Sequence, residues 1–256
     1  MSDNIVYEQP LNERVRILLR LEFLFSSANN ALQGTSELKN RDTINALLSI
    51  LSVFDRTDLK QEIIKELERL ISALSALENM PGVDKQALNN LLQELDTILD
   101  PLHLIKTAIG HNLRENDFLF AIRQRSSIPG GTCDFDIPAY HFWLQHISAE
   151  SRQQQLQSWL NEFSHVRAAI DIILKLIRGS TGFSPAHAQA GFYQHSLDSS
   201  QANQIIQVKI PRDTNYYPEI SGGKHRFTVR FMQFNINQRP QQCKEDIDFS
   251  LSCCAM

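Results

Sequence analysis

The sequence contains no apolar run of the ~18 residues that a membrane-spanning helix needs. Its first residues, MSDNIVYEQP, lack the basic and apolar segments of a secretory signal. The four cysteines form no CxxC pair and no disulfide framework. From these absences we predict a protein of a reducing compartment, the cytoplasm, without membrane insertion.

An excess of positive charge is also absent. The chain has 25 Lys and Arg against 29 Asp and Glu, which gives a net charge of −4 and a pI near 6.1. No global basic field therefore draws it to nucleic acid, and any attraction for an anion must be local. With 256 residues, of which 42% are hydrophobic, the chain is long enough for one large domain or two small ones.

Motifs of catalysis and metal binding are equally scarce. The SGGK at 221–224 lacks the GxxxxGK[ST] spacing of a phosphate loop and precedes a strand-like run, so we interpret it as a turn. The eight histidines include no HExxH and no paired Cys/His spacing, which predicts no metal and no cofactor. Cys133 would act as a nucleophile only beside a positioned histidine, so hydrolysis is a minor alternative.

What is present begins with helical periodicity. NERVRILLRLEFLF, residues 12–25, has an amphipathic pattern, and Pro10 stands where a helix often starts. Arg16 and Arg20 are four residues apart, so we expect them on one helical face. A second, largely apolar helix is predicted near 41–55.

The strongest pattern is a pair of apolar stripes at 59–77 and 88–105, joined by the turn residues PGVD. They predict an antiparallel helical hairpin with Asp84 as the cap of its second helix. We interpret the stripes as packing within the fold rather than as a separate coiled-coil interface.

Beyond residue 180 the helical period gives way to short β-like runs separated by Gly, Pro, Asn and Asp. We expect IVYE (5–8) and TCDFD (132–136) to pair with these later strands. In KHRFTVRF (224–231), strand alternation places three apolar residues on one face, namely Phe227, Val229 and Phe231. The opposite face holds the cations Lys224, Arg226 and Arg230, with no acidic residue in the strand and no stacking aromatic on that face.

These cations leave two interpretations open. They are either solvated charges paired with nearby acids, or a binding surface, since the planar fork of arginine matches carboxylates. Further cations occur at Arg114, Arg123 and Arg125, and His141 begins a predicted helix. The residues favour a binding module for an acidic peptide. A basic patch for nucleic acid or another polyanion is the alternative, and the negative net charge argues against it.

Four segments then resemble one family in order along essentially the whole chain: YEQPLNERVRILLRLEFLF, RQRSSIPGGTCDFDIPAYHFWL, ISGGKHRFTVRFM and DFSLSCC. This is similar to the ZapD family of bacterial division proteins, which are not enzymes. NQRPQQCKEDI (237–247) and the terminal AM depart from the family pattern.

The resemblance implies an α+β fold, in which a mainly helical domain packs with a curved antiparallel β-domain. The helical domain would cover 20–115 and 139–180, and the β-domain would gather 2–19, 116–138 and 181–256. It also implies a homodimer that binds the C-terminal tail of the GTPase FtsZ in a basic pocket and bundles FtsZ protofilaments at midcell. Carried over by motif, the tail-binding residues are Arg16, Arg20, Arg56, Arg114, His141, Lys224, Arg226 and Arg230.

Overall fold

Helices occupy most of the chain up to residue 179, and strands occupy the rest, together with one strand near the N-terminus. The computed structural model describes residues 3–55, 58–198, 200–223 and 225–255. Within these residues the helices are α1 (Glu13–Leu32), α2 (Glu37–Phe54), α3 (Leu59–Ser75), α4 (Lys85–Leu104), α5 (His111–Arg114), α6 (Asp117–Arg125), α7 (Pro138–His146), α8 (Ala149–Asn161) and α9 (Ser164–Gly179). The predicted α+β class is confirmed.

The strands form two antiparallel sheets. They are β1 (Asn4–Pro10), β2 (Ser184–Ala188), β3 (Phe192–Ser196), β4 (Asn203–Pro211), β5 (Tyr216–Gly222), β6 (Arg226–Gln233), β7 (Gln241–Gln242) and β8 (Ile247–Ala255). One sheet has the order β1-β4-β8-β2, and the other has the order β3-β6-β5, with β7 also paired to β6. The predicted pairing of IVYE with a later strand is confirmed, because β1 pairs with β4.

The chain divides into two compact units, one of residues 1–17 and 174–256 and the other of residues 18–173. We call the first the β-unit and the second the helical unit. In the β-unit the apolar faces of both sheets share one core. Phe231 and Val229 of β6 are fully buried, and they join Val208 of β4 and Leu251 of β8. Burial of each such side chain contributes about 1.5–3 kcal/mol relative to exposure.

An ion pair within the β-unit fixes β1 against the end of α9. Arg178 donates from Nε to Glu8 Oε1 at 2.8 Å and from Nη2 to Glu8 Oε2 at 2.7 Å, and Gln207 Nε2 donates to Oε1 at 2.8 Å. Desolvation raises the pKa of Glu8, but these hydrogen bonds outweigh it and lower the pKa. The carboxylate therefore stays ionised in its partly buried position.

In the helical unit the predicted hairpin is confirmed as α3 and α4. Ile63, Leu67 and Leu95 are at most 1% exposed, as the spacing of three and four requires. Asp84 caps α4 by accepting from the backbone N–H groups of Gln86 and Ala87, both at 3.0 Å.

Two local predictions were wrong. TCDFD forms turns rather than a strand. Pro129, Gly130 and Gly131 before this segment and Pro138 after it favour tight turns over pairing. Pro10 ends β1 instead of starting a helix, and α1 begins at Glu13 because the Asn12 side chain accepts from the backbone N–H of Val15 at 2.9 Å.

Candidate anion-binding site

Strand β6 has one buried face and one charged face, as its alternation predicts. Phe227, Val229 and Phe231 are at most 1% exposed. Arg226 and Arg230 are exposed on the opposite face, with the partly buried Thr228 between them. Because a strand rises ~3.3 Å per residue, the two guanidinium-bearing positions lie ~13 Å apart along the sheet. We call this surface the cationic face of β6.

A carboxylate on the neighbouring strand reaches this face. Glu219 of β5 is directly opposite Arg230 in the sheet register. Its Oε2 lies 3.9 Å from Arg230 Nη2, and both side chains are about half exposed, at 45% and 54%. An exposed pair at this distance has a weak interaction. The prediction that nothing in the strand neutralises the cations holds for β6 itself, but the neighbouring strand supplies a partial neutraliser.

The face also carries an aromatic ring. Phe192 of β3 is directly opposite Arg230, and its side chain is 40% exposed. Residues directly opposite in an antiparallel pair project to the same face. The expectation that no aromatic stands on the cationic face was therefore wrong, because register between distant strands cannot be read from alternation within one of them.

Arg226 forms no ion pair with any acidic side chain in the described part of the chain. Beside it lies a cleft of about 480 Å³ within the β-unit. The described residues that line this cleft are Gln194, Ser221, Gly222, Gly223, His225, Arg226, Phe227 and Thr228. No carboxylate is among these lining residues, so the cleft is an electropositive concavity with hydrogen-bonding walls.

Gly222 allows the floor of this cleft to pack closely. A Cβ at this position would lie 2.7 Å from Leu11 Cδ2 and 3.2 Å from Phe227 Cβ. Real Cβ atoms do not approach carbon that closely, so a side chain here would displace Leu11 or the end of β5. Gly223 is different, since an added Cβ would meet nothing within 4 Å.

The other predicted site residues differ in their exposure and in their ion pairing. Arg16 of α1 is half-buried and pairs with Glu13 at 3.1 Å, while Arg20 is exposed with no ion pair to any described residue. His141 is exposed on α7. Arg56 and Lys224 lie outside the described residues.

Arg114 is committed to a hydrogen-bonded cluster in the helical unit. Its Nε donates to Asp55 Oδ1 at 2.8 Å, and a second nitrogen donates to the carbonyl of Ile109. Arg123 Nη2 donates to the other oxygen, Asp55 Oδ2, at 2.5 Å. Desolvation raises the pKa of Asp55, but the two arginines outweigh it and lower the pKa. Arg114 is thus already bound to a carboxylate.

The surroundings of Cys133 do not favour its action as a nucleophile. Cys133 donates to Asp136 Oδ2 at 3.2 Å, and partial desolvation together with this aspartate raises the pKa of the thiol. A raised pKa disfavours the reactive thiolate, opposite to what a nucleophile requires. No group of three or more His, Cys, Asp or Glu among the described residues could hold a metal ion.

Fold and surface together define an α+β protein with an electropositive sheet face. A family profile described as "ZapD: Cell division protein" matches residues 19–230. The chain is 40% identical over 256 residues to the "Cell division protein ZapD" of Methylococcus capsulatus, with 100% of both chains covered. It is 40% identical over 256 residues to the protein of that name from Coxiella burnetii, with 99% of each covered, and 35% identical over 252 residues to that from Nitrosomonas eutropha, with 98% and 100% covered.

The chain therefore belongs to the ZapD family of cell division proteins, and its role is in cell division. The relatives carry the name of a division protein and not that of an enzyme. Within the described residues, no helix combines the length and the apolar character that crossing a membrane requires.

Proposed function

We propose that this protein binds the acidic C-terminal tail of FtsZ on the cationic face of β6. The observation that carries the proposal is Arg226, an exposed guanidinium without a carboxylate partner among the described residues, beside a cleft that no described acid lines. Arg16, Lys224 and Arg230 of the β-unit are proposed as further tail-binding residues, and so are Arg20 and His141 of the helical unit. Membership of the division-protein family supports an FtsZ partner.

The chemistry of the contact follows from the side chains. A guanidinium binds a carboxylate through two parallel hydrogen bonds, which fixes orientation as well as charge. Arg230 exchanges its weak contact with Glu219 for a carboxylate of the tail, and the exposed ring of Phe192 offers apolar contact to a neighbouring tail residue. Because these cations are exposed, salt weakens binding over a screening length of ~8–10 Å.

We further propose that the protein acts as a homodimer, with the dimer contact in the helical unit, and that the dimer cross-links and bundles FtsZ protofilaments at midcell in the cytoplasm. Cross-linking requires at least two tail sites, and a dimer supplies them. Avidity for a polymer then exceeds the affinity for a single tail by a factor that depends on the spacing of the two sites.

The test is an anisotropy titration of a labelled FtsZ tail peptide at low and at physiological salt. Wild type is compared with Arg226→Glu/Arg230→Glu and with the control Arg239→Glu/Lys244→Glu, which changes the charge equally at exposed positions elsewhere in the β-unit. We expect the first variant to lose binding by about a hundredfold and the control to bind like wild type. Equal binding by both variants would refute the site.

Binding of nucleic acid or another polyanion is the second candidate, and Phe192 beside Arg230 favours it, since bases stack on aromatic rings. A random DNA oligomer added to the peptide complex at physiological salt separates the two functions. We expect no displacement of the peptide beyond the effect of ionic strength. Displacement at a stoichiometric amount of DNA would favour the polyanion function.

A further inference from the structure

A second concentration of arginines lies within the helical unit, around a cavity of about 620 Å³. Its lining comprises 12 described residues: three arginines, five other polar residues and four aliphatic ones. None of these lining residues is acidic, although the whole chain carries a net charge of −4. We call this space the arginine cavity and define it by Arg41, Arg123 and Arg125.

One wall of the arginine cavity is a single face of α2. Arg41, Asn45, Ser49 and Ser52 follow each other at intervals of four, four and three, so they share one side of the helix. Leu48 and Val53 of α2 also line the cavity and add apolar contacts to this wall. The row of polar side chains on α2 therefore faces the cavity.

The opposite wall comes from the end of α6 and the turns after it. Arg123 and Arg125 stand in the last turn of α6, where cations are favoured by the partial negative charge of the helix C-terminus. Gly131 holds the following loop tightly, since a Cβ there would lie 2.9 Å from Ile128 Cβ and would also contact the carbonyl oxygen of Arg125. Ile128, 45% exposed, lines the cavity from this loop.

The three arginines differ in how far they are neutralised. Arg123 is bound to Asp55 at 2.5 Å, and Arg125 lies 3.9 Å from Asp136, at the limit of an ion pair. Arg41 is exposed and forms no ion pair with any residue that the structure describes. Arg41 and Arg125 therefore keep most of their capacity for a carboxylate, while Arg123 serves mainly to hold the wall.

We propose that the arginine cavity binds a segment of acidic peptide, and that the tail of the proposed function is its ligand. This inference rests on the proposed function only for the identity of that tail. Continuity supports it, because Leu24 of the cavity follows the candidate Arg20 by one turn on the same face of α1.

The hydroxyl groups of the cavity favour a peptide over a bare anion. Ser49 Oγ donates to the carbonyl of Asn45 at 2.8 Å, and Ser126 Oγ donates to the carbonyl of Arg123 at 2.7 Å. Because each hydroxyl proton is already donated to a backbone carbonyl, the two hydroxyl oxygens can only accept hydrogen bonds from a ligand. A peptide brings N–H donors for them together with carboxylates for the arginines, whereas phosphate brings mainly acceptors.

The test uses full-length protein and two labelled peptides, the FtsZ tail and a short poly-glutamate. Arg41→Glu/Arg125→Glu reverses the two least neutralised cations and leaves the Arg123–Asp55 bond intact. Lys65→Glu/Lys85→Glu is the matched control, since both lysines are exposed, lie in the helical unit and do not line the cavity. Circular dichroism melting verifies that each variant is folded.

We expect the cavity variant to bind both peptides about tenfold more weakly than wild type and the control to be unchanged. Equal affinities of cavity variant and control would overturn the inference, as would displacement of peptide by inorganic phosphate beyond a chloride solution of equal ionic strength. The inference would also be overturned if the wild-type protein bound neither peptide.

The outcomes also separate this inference from the proposed function. If only Arg226→Glu/Arg230→Glu weakens binding, the cationic face of β6 stands and the cavity is refuted. If only the cavity variant weakens binding, the cavity stands and the β6 site fails. Cavity-dependent binding of poly-glutamate without binding of the FtsZ tail would keep the acidic-peptide site and remove FtsZ as its partner.

Discussion

Two pairs of arginines in this protein have opposite electrostatic situations. Arg114 and Arg123 each donate to one oxygen of Asp55, at 2.8 and 2.5 Å. On β6, Arg226 has no ion-pair partner among the described residues, and Arg230 has only a 3.9 Å contact with Glu219. The first pair stabilises the helical unit, and the second is available to a ligand.

This difference shows that the number of arginines in a segment does not measure its attraction for anions. What matters is whether a carboxylate of the same fold already occupies the guanidinium fork. By this criterion Arg114 is a poor candidate for tail binding, although the family resemblance points to it, and Arg226 is a strong one.

The largest expected effect on stability comes from removing the shared carboxylate. Asp55→Asn leaves Arg114 and Arg123 close together without compensation, and we expect a loss of about 1–2 kcal/mol in the free energy of unfolding. Arg226→Gln is the matching substitution at an arginine without a carboxylate partner among the described residues. We expect it to change the free energy of unfolding by no more than about 0.5 kcal/mol. Urea denaturation measures the free energy of unfolding of both variants. A similar loss in the two would contradict the proposed difference between the paired and the unpaired arginines.

The Asp55 contribution should also depend on pH. Because the arginines hold the pKa of Asp55 below its ordinary value of 3.8, ionised Asp55 stabilises the fold fully above that value, and the stabilisation is lost as the pH falls through the lower, folded-state pKa. The difference in unfolding free energy between wild type and Asp55→Asn should therefore shrink on acidification below 3.8. Urea titrations at a series of pH values test this, and a difference that grows in acid would contradict it.

A smaller effect is expected from freeing Arg230. Glu219→Gln removes both the competing carboxylate and its repulsion of an acidic tail, so the FtsZ tail peptide should bind about two- to fivefold more tightly. Glu245→Gln provides the control, since Glu245 is an exposed acid in the same unit outside the β5–β6 register. An unchanged or lower affinity of Glu219→Gln relative to this control would show that Arg230 does not contact the tail.

Alternation within one strand was enough to predict the two faces of β6, because burial of Phe227 and Phe231 leaves Arg226 and Arg230 only the other side. The helical hairpin was predictable for a similar reason, since its leucines repeat at helical spacing. Both patterns are local, and local patterns can be read from one sequence.

The features that decide whether an arginine is available to a ligand are not local in the sequence. Glu219 and Phe192 meet Arg230 through strand register, and Arg114 and Arg123 reach Asp55 across 59 and 68 residues of chain. The polar row of α2 carries a signal, Arg41 and Asn45 at helical spacing on a largely apolar helix, yet its opposite wall is supplied by α6. TCDFD misled because alternation over five residues also suits a chain of turns.

The most direct test of the central claim is a double-mutant cycle between Arg226→Gln and an amide substitution at each acidic residue of the FtsZ tail peptide, measured by titration calorimetry. A direct contact predicts a coupling energy of about 0.5–3 kcal/mol with one acidic position and much less with the others. Purely additive effects at every position, within about 0.3–0.5 kcal/mol, would show that the tail does not contact Arg226.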